Sequence, residues 1–231
     1  MTYLSKSHGR NELEAVRLKA DQKFTRGEMQ RVYKQFVTTQ GLNNVVTKCI
    51  KRELVERLDL GELHQTLRLA DDALMSLYLL DAVQSLVHID KVLYFYQNNA
   101  SSTTNNARLA MLDDVNAYQC IAIPIMEKWC PELDVHAIQA QRAIRTIHRV
   151  ARAVPDDTKL RRNHLLHVAN HPLFRSVSKA LQQNKFSVPL QCKLSFYFLQ
   201  KGRLRFAYIS LRTEQWIIRL ISKMRRPLGR Y

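Results

Sequence analysis

Residues 69–104 read LADDALMSLYLLDAVQSLVHIDKVLYFYQNNASSTT, a stretch that combines a pair of acids, an apolar helical run and an aromatic run. Asp71 or Asp72 can cap the exposed amides of a helix predicted over residues 73–85, and a carboxylate there also suits the helix dipole. The β-branched and aromatic residues of LVHID and KVLYFYQ predict two short strands with a polar pair between them. The polar run NNASSTTNNA that follows is the best candidate for a domain boundary.

The composition of the whole chain is that of a globular protein. Its 231 residues are 46% hydrophobic and 24% charged, with only 6 Gly and 6 Pro, which favours long helices around a buried core. The four cysteines form no Cys-x-x-Cys pair, so we expect reduced, packed thiols and neither disulfides nor a zinc site. The N-terminal residues have no apolar h-region, and no run approaches the roughly 20 apolar residues of a spanning helix, so we expect no secretory signal and no membrane span.

The formal net charge of +16 falls almost entirely on the second half of the chain. Residues 1–104 hold 14 Lys and Arg against 12 Asp and Glu, whereas residues 105–231 hold 22 against 8. Such an asymmetry predicts a separate role for the basic part, at an anionic lipid surface or at nucleic acid.

Helical patterns lie on both sides of the opening stretch. Residues 11–40 read as helical, with Thr25 and Glu28 spaced as a capping box at a new helix start. The segment NNVVTKCIKRELVERLDL predicts a further helix. Beyond Arg108 the pattern is helical almost to the end, and Asp156 and Asp157 are expected to cap a helix there.

Two C-terminal segments have a basic face and an apolar face. They are residues 140–154 and the last predicted helix, residues 204–224, with Trp216 at the edge. Their basic stripes, the candidate membrane-binding residues, are Arg142, Arg145, Arg149, Arg152, Arg212, Arg219 and Lys223. Helices of this kind suit an anionic membrane surface, or their apolar stripes pack the helices on each other. The same charge would bind nucleic acid, which is less favoured because neither zinc-finger spacing nor a Gly-aromatic RNA-binding signature occurs.

Three histidines, His164, His167 and His171, recur at helical spacing. Metal binding is one interpretation, but no acidic or Cys ligand lies nearby and Pro172 is expected to end the helix. Titrating surface histidines are the favoured interpretation, so we predict no metal site.

Four motifs follow each other in a recognisable order. The chain reads TKCIKREL at residues 47–54, ADD at 70–72, VHIDKVLYFYQ at 87–97 and STT at 102–104. This order resembles the C-terminal part of family 2 glycosyltransferases, inverting enzymes with a nucleotide-sugar-binding GT-A fold. The family often reads Asn-Lys-Leu-Tyr-Arg-Arg-Glu-Leu, then Gly-Glu-Asp opening a helix, then a strand pair ending near Leu-Tyr-Tyr-Tyr-Arg, then Ser-x-Thr. The resemblance covers about residues 25–104.

The resemblance implies a role for five residues. Asp72 matches the catalytic base, which deprotonates the acceptor hydroxyl so that it attacks the anomeric carbon of the sugar, and Asp71 matches the acid before it. A carboxylate suits this task because it can take a proton without a metal. Lys48 and Arg52 match the basic helix of the family, and Tyr96 matches its aromatic strand, so these three are implied to bind substrate.

The chain also departs from the family pattern. Ala70 replaces Gly, Asp71 replaces Glu, and Gln97 replaces the Arg after the aromatic strand. No Asp-x-Asp occurs in the 231 residues, and no Gly-rich phosphate loop follows a strand. The resemblance therefore implies that an N-terminal half, encoded upstream or by a second polypeptide, would supply the Mg²⁺ or Mn²⁺ site and the nucleotide-sugar site. We expect a truncated transferase with no cofactor of its own and no sugar transfer by this chain alone.

Together these patterns predict a helix-rich α/β chain. Residues 1–106 would form the acceptor side of an incomplete GT-A-like domain with a short strand pair, and residues 107–231 a mostly α-helical basic tail. The implied function is hexose transfer from a nucleotide sugar to a cell-surface or lipid-linked glycan acceptor, in the cytoplasm or at the inner face of the cell membrane. The alternative is a non-enzymatic basic helical protein that binds nucleic acid or anionic membrane.

Overall fold

The computed structural model describes the backbone of residues 2–7, 10–15, 21–58, 70–89, 95–96, 107–183 and 188–224. Side chains are described in the same ranges except at residues 2–15, 95–96, 191, 215 and 218–224. The chain forms two compact units. The N-terminal unit combines Met1–Asn106 with Asp113–Gln139, and the C-terminal unit combines Ala107–Leu112 with Ala140–Tyr231.

Helices dominate the described residues, as the sequence pattern predicts. Nine α-helices lie in this part of the chain: α1 (Gln30–Thr38), α2 (Arg52–Arg57), α3 (Asp71–Ala82), α4 (Ala110–Trp129), α5 (Val135–Arg152), α6 (Thr158–Asn170), α7 (Pro172–Gln182), α8 (Leu190–Gln200) and α9 (Leu204–Met224). Short 3-10 turns occur at Arg26–Glu28 and Val45–Thr47. Within the described ranges, no helix has both the length and the apolar character needed to cross a lipid bilayer.

Short strands lie in the N-terminal unit. Their bounds are β1 (Thr2–Ser7), β2 (Arg10–Ala15), β3 (Gln22–Thr25), β4 (Ser85–His88) and β5 (Phe95–Tyr96). β3 and β4 form a two-stranded antiparallel sheet in which Gln22 lies opposite His88 and Thr25 opposite Ser85. The backbone of β1 pairs antiparallel with β2 and parallel with β5.

The two strands expected in LVHID and KVLYFYQ are present, but they do not pair with each other. β4 pairs with β3, and β5 pairs with β1. Phe24 on β3 is buried in the core of the unit, and Leu86 on β4 packs against the same core. Pairing with β3 therefore places β4 against buried apolar surface. This burial favours the β3–β4 pair over a hairpin between β4 and β5, although those two strands are closer in sequence.

The prediction of helix over residues 11–40, with a new start at Thr25, is wrong before α1. Arg10–Ala15 and Gln22–Thr25 are strands, because pairing with other strands overrides weak local helix propensity. The predicted capping box is confirmed: the amide and the hydroxyl of Thr25 both donate to the Glu28 carboxylate, at 2.9 and 2.7 Å. It begins the 3-10 turn that precedes α1, rather than α1 itself.

The helix predicted for NNVVTKCIKRELVERLDL is also shorter than expected. In the described part of this segment, residues 43–58, only Arg52–Arg57 is α-helical. It follows the Val45–Thr47 turn and an extended residue, Lys48, with φ −121° and ψ 135°. The Thr47 hydroxyl donates to the Asn44 carbonyl at 2.9 Å. Side chains thus satisfy backbone carbonyls that a continuous helix would have used.

Trp129, the last residue of α4, joins three helices of the N-terminal unit. Its ring stacks on Tyr33 of α1, with centroids 4.3 Å apart, and meets the edge of Phe36 at 5.8 Å. Its indole NH donates to Asp81 of α3 at 2.8 Å, and its carbonyl accepts a bond from the Gln30 side chain at 2.9 Å. The side chain is 4% exposed, so the ring is packed in the core and its polar NH has an acceptor.

The C-terminal unit contains a charged group held among apolar helices. Glu214 on α9 lies 2.8 Å from His148 Nε2 and 3.8 Å from Arg152 Nη1, both on α5. Burial lowers the pKa of His148, and the neighbouring Glu214 carboxylate opposes this shift. The Arg152 guanidinium supplies a positive charge beside the Glu214 carboxylate in this buried group.

The helix cap predicted before α6 is present in the C-terminal unit. Asp157 caps α6 as predicted, because its carboxylate accepts a bond from the Leu160 amide at 2.8 Å.

All four cysteines are free: Cys130 and Cys192 are buried, and Cys49 and Cys120 are exposed. The expectation of packed thiols is therefore wrong for the exposed two, which lie before α2 and on the solvent side of α4.

Candidate functional site

The acidic pair lies in the first turn of α3, and both side chains are exposed. Asp71 is the first helical residue, and its carboxylate accepts a hydrogen bond from the Asp72 amide at 2.9 Å. The N-cap position itself is occupied by Ala70. The predicted capping role is therefore corrected: Asp71 satisfies one free amide from inside the helix, and both charges favour the positive end of the helix dipole.

Ala70 has a backbone conformation that favours glycine. Its φ of 71° and ψ of 10° place it in the left-handed region, where the Cβ of an L-residue is strained. The family motif that this stretch resembles has glycine at the matching position. Glycine adopts the left-handed conformation before α3 without strain.

We expect Ala70→Gly to raise the free energy of unfolding by about 0.5–1 kcal/mol, because glycine relieves the left-handed strain. Denaturation by urea, followed by circular dichroism, measures the change. Ala73→Gly, inside α3, is the matched control and should lower stability by about 1 kcal/mol. A loss of stability in Ala70→Gly would mean that this residue does not adopt the left-handed conformation.

Lys48 is fixed between the loop before α2 and helix α3. Its ammonium donates to the carbonyl oxygens of Leu42 and Asn44, each at 2.6 Å, and to the Ser76 hydroxyl at 3.1 Å. The Ser76 hydroxyl in turn donates to the Asn43 carbonyl at 2.9 Å. Three acceptors thus occupy the three donor positions of the ammonium.

The charge of Lys48 interacts with that of Asp72. Burial lowers the pKa of Lys48 to about 8, while the Asp72 carboxylate acts in the opposite direction and raises it. The ammonium therefore remains protonated at neutral pH, in agreement with its three hydrogen-bond acceptors. A cation from the TKCIKREL motif and a carboxylate from the ADD motif consequently share one electrostatic environment at the start of α3.

This arrangement can bind a hydroxyl group and accept a proton from it. An exposed carboxylate accepts hydrogen bonds from sugar hydroxyls, and charge-assisted bonds of this kind are stronger than neutral ones. A general base must approach the oxygen that carries the proton to about 2.6–3.2 Å, which an exposed side chain permits. Lys48 is held by the protein, so it supplies a fixed positive charge that acts on the Asp72 carboxylate.

The other residues implied by the resemblance are placed differently. Arg52 lies on α2 with its side chain 88% exposed, and its Nε pairs with Glu56 Oε1 at 2.6 Å. It therefore lies in an i,i+4 ion pair on the helix surface and not in the Lys48 cluster. Tyr96 lies on β5, and its side chain is outside the described residues.

Ser76 is the residue that the sequence analysis missed. It is buried on α3, four positions after Asp72, and it is the only serine of this helix. A lone serine one helical turn after a carboxylate is the signal that could have identified it, because i and i+4 lie on the same face. Its partners, the Asn43 carbonyl and the Lys48 ammonium, cannot be identified from the sequence.

The candidate membrane residues are distributed over both faces of their helices. Arg145 and Arg149 are exposed on α5, and Arg142 is half-buried. Arg152 faces Glu214 at 3.8 Å, and Arg212 binds Asp156 at 2.6 Å. The side chains of Arg219 and Lys223 lie outside the described residues. The apolar face of α5, formed by Ile144, Ile147 and Ala151, is buried in the C-terminal unit.

The predicted histidine series has structural partners. His164 Nε2 lies 2.8 Å from the Val150 carbonyl, and His171 Nδ1 accepts a bond from the Leu173 amide at 3.2 Å, which caps α7. Among the residues with described positions, no group of three His, Cys, Asp or Glu side chains is arranged to hold a metal ion.

Comparison of the chain with models of known families, with curated proteins and with solved structures gives no significant match.

Proposed function

We propose that the N-terminal unit is the acceptor side of an inverting glycosyltransferase of family 2, in which Asp72 is the catalytic base. The transferred group would be a hexose from a nucleotide sugar, and the acceptor a hydroxyl of a cell-surface or lipid-linked glycan. The observation that carries the proposal is the exposed position of Asp72 in the first turn of α3. The charge of Asp72 also acts on the held ammonium of Lys48, a residue of another motif of the resemblance.

The local structure around the pair supports this proposal. Asp72 is exposed at the beginning of α3, where a substrate hydroxyl has access to its carboxylate. Lys48 is held by three oxygen acceptors and keeps its position without a substrate. Preorganised charge beside a reacting group contributes to catalysis because it needs no rearrangement during the reaction.

The donor side of the reaction would come from residues outside these 231. Transfer requires groups that hold the diphosphate of the nucleotide sugar and neutralise its charge, usually with a divalent metal. In this proposal, Mg²⁺ or Mn²⁺ belongs to that donor half. The pure chain is therefore expected to bind an acceptor without turning over nucleotide sugars.

We expect Asp72→Asn to weaken acceptor binding at least tenfold, because a charge-assisted hydrogen bond is replaced by a neutral one. The measurement titrates isotope-labelled protein with neutral hexose oligosaccharides and follows backbone amide signals by NMR. Signals at the start of α3 and around Lys48 should shift. Once a donor-binding half is supplied, the same substitution should lower kcat about 10²–10⁴-fold.

Asp113→Asn is the matched control, because Asp113 is also an exposed acid in the first turn of a helix, α4. It should bind oligosaccharides like the original protein. Equal binding by Asp72→Asn and the original protein would remove Asp72 from the acceptor site. Release of nucleotide diphosphate by the pure chain would contradict the assignment of donor binding to a separate half.

A further inference from the structure

Six large apolar side chains are exposed among the described residues of helices α8 and α9 in the C-terminal unit. On α8 the exposed fractions are 67% for Leu190, 42% for Leu194 and 49% for Tyr197. On α9 they are 55% for Phe206, 57% for Ile209 and 64% for Trp216. These six residues are called the hairpin face below.

The spacing of these residues places each set on one side of its helix. Leu190, Leu194 and Tyr197 follow each other at four and three positions, and Phe206 and Ile209 at three. The opposite sides of the two helices are buried and contain Cys192, Ser195, Phe196, Leu199, Ala207 and Leu211. The apolar core of the unit is thus formed without the hairpin face.

Aromatic contacts connect the exposed sides of the two helices. The rings of Tyr197 and Phe198 lie 5.6 Å apart, and those of Phe198 and Phe206 lie 5.5 Å apart. The chain turns between the helices at Gly202, where φ is 65°. The hairpin face is therefore continuous across the turn instead of consisting of two isolated helix surfaces.

Positive charge surrounds this apolar surface. Lys193, Lys201, Arg203 and Arg205 are all exposed on the same two helices or the turn between them. From Thr158 to the last residue, the sequence has 16 basic residues and a single acid, Glu214. The Glu214 side chain is only 16% exposed and faces His148. One exposed acid from before this stretch, Asp156, pairs with Arg212 of α9 at 2.6 Å. The charge on α8, the turn and the start of α9 is thus predominantly basic.

We propose that the hairpin face docks onto an anionic lipid bilayer, with its apolar side chains in the headgroup region and its basic residues at lipid phosphates. Trp, Tyr and Phe favour the membrane–water interface, because their rings are amphipathic or apolar and remain ordered there. Each Lys or Arg near an anionic surface strengthens binding about fivefold. This inference goes beyond the proposed function and does not depend on it.

Charge complementarity favours a membrane over the other possible occupants. A second copy of the chain would bring two basic surfaces together, which like-charge repulsion opposes. Nucleic acid would match the charge, but its phosphates offer nothing to six exposed apolar side chains. The arginine stripe of α5 is a weaker membrane surface, because its apolar face is buried in the unit.

Vesicle binding tests the proposal with the complete chain. We compare vesicles of phosphatidylcholine alone with vesicles in which a quarter of the lipid is phosphatidylglycerol, at physiological salt. Co-sedimentation should be at least tenfold stronger with the anionic vesicles, and tryptophan emission should shift to shorter wavelength. Trp216 should cause this shift, because Trp129 is already buried at 4% exposure.

The double variant Phe206→Glu, Ile209→Glu should reduce binding to anionic vesicles more than tenfold. The matched control is Val46→Glu, Val87→Glu, which places the same charges at 51% and 57% exposed valines of the N-terminal unit. This control should bind like the original protein. Lys193→Gln, Arg205→Gln should weaken binding about 20-fold on anionic vesicles, and circular dichroism should confirm that every variant is folded.

Three results would overturn the proposal. The first is equal binding, or none, to neutral and anionic vesicles. The second is loss of vesicle binding in the Val46 and Val87 control to the same extent as in the hairpin variant. The third combines two findings. The protein shows no preference for anionic vesicles, and it forms a dimer or a complex with duplex nucleic acid that the Phe206 and Ile209 substitutions disrupt.

Discussion

Replacing Trp129 by alanine is expected to lower the free energy of unfolding of the N-terminal unit by about 3–5 kcal/mol. The substitution removes the stack on Tyr33, the edge contact with Phe36 and the hydrogen bond to Asp81. It also leaves a cavity where α1, α3 and α4 meet, which the surrounding helices fill only in part. Chemical denaturation of the purified protein measures the loss.

Trp216→Ala is the matched control for Trp129→Ala, because the Trp216 side chain is 64% exposed. Without lipid, this variant should stay within about 0.5 kcal/mol of the original protein. Trp129→Phe should retain part of the stacking and lose the indole hydrogen bond, so we expect an intermediate effect. Similar small effects of Trp129→Ala and Trp216→Ala would mean that Trp129 does not join these helices.

Glu214→Gln is expected to destabilise the C-terminal unit by about 2–3 kcal/mol. Arg152 and Glu214 are 29% and 16% exposed, and removing one member of a mostly buried ion pair costs more than removing a surface pair. The neutral amide also removes the charge that lies 2.8 Å from His148 Nε2. Thermal and chemical denaturation, followed by tryptophan emission and circular dichroism, measure this loss.

Glu56→Gln provides the comparison for the buried pair. Glu56 binds Arg52 at 2.6 Å, but the two side chains are 58% and 88% exposed. Solvent screens such pairs, so this substitution should change stability by less than about 0.5 kcal/mol. A Glu214→Gln variant as stable as Glu56→Gln would contradict the buried position of the carboxylate.

The helices of the C-terminal half could be predicted because their signal is local. In α5, apolar residues recur at helical spacing, and Ile144 and Ile147 are buried as the two-faced pattern predicts. The caps at Thr25 and Asp157 depend on residues three positions apart, so short spacing also revealed them. The same local reasoning predicts the helix-rich character of the fold.

The strand pairings could not be predicted, because they join distant parts of the chain. β4 follows α3 in sequence but pairs with β3, which precedes α1. No local pattern in Gln22–Thr25 identifies this partner, and the surrounding residues have helical spacing. Register and partner choice depend on burying Phe24 in the core, which is a property of the folded unit.

The candidate site was predictable only in part. The order of motifs selected Lys48 and Asp72, which the structure brings into one electrostatic environment. It also selected Arg52, which pairs with Glu56 on the surface of α2. Spacing within a motif does not distinguish a side chain held by loop carbonyls from one directed to solvent. That difference depends on the turn before α2 and on Ser76, which sequence patterns do not reveal.

The distribution of the four thiols makes the candidate site chemically addressable. Burial raises the pKa of Cys130 and Cys192, which disfavours the reactive thiolate in both. Cys49 is exposed and directly follows Lys48 in the chain. In a protein with Cys120 replaced by serine, an alkylating fluorophore would therefore label one position, beside the ammonium that interacts with Asp72.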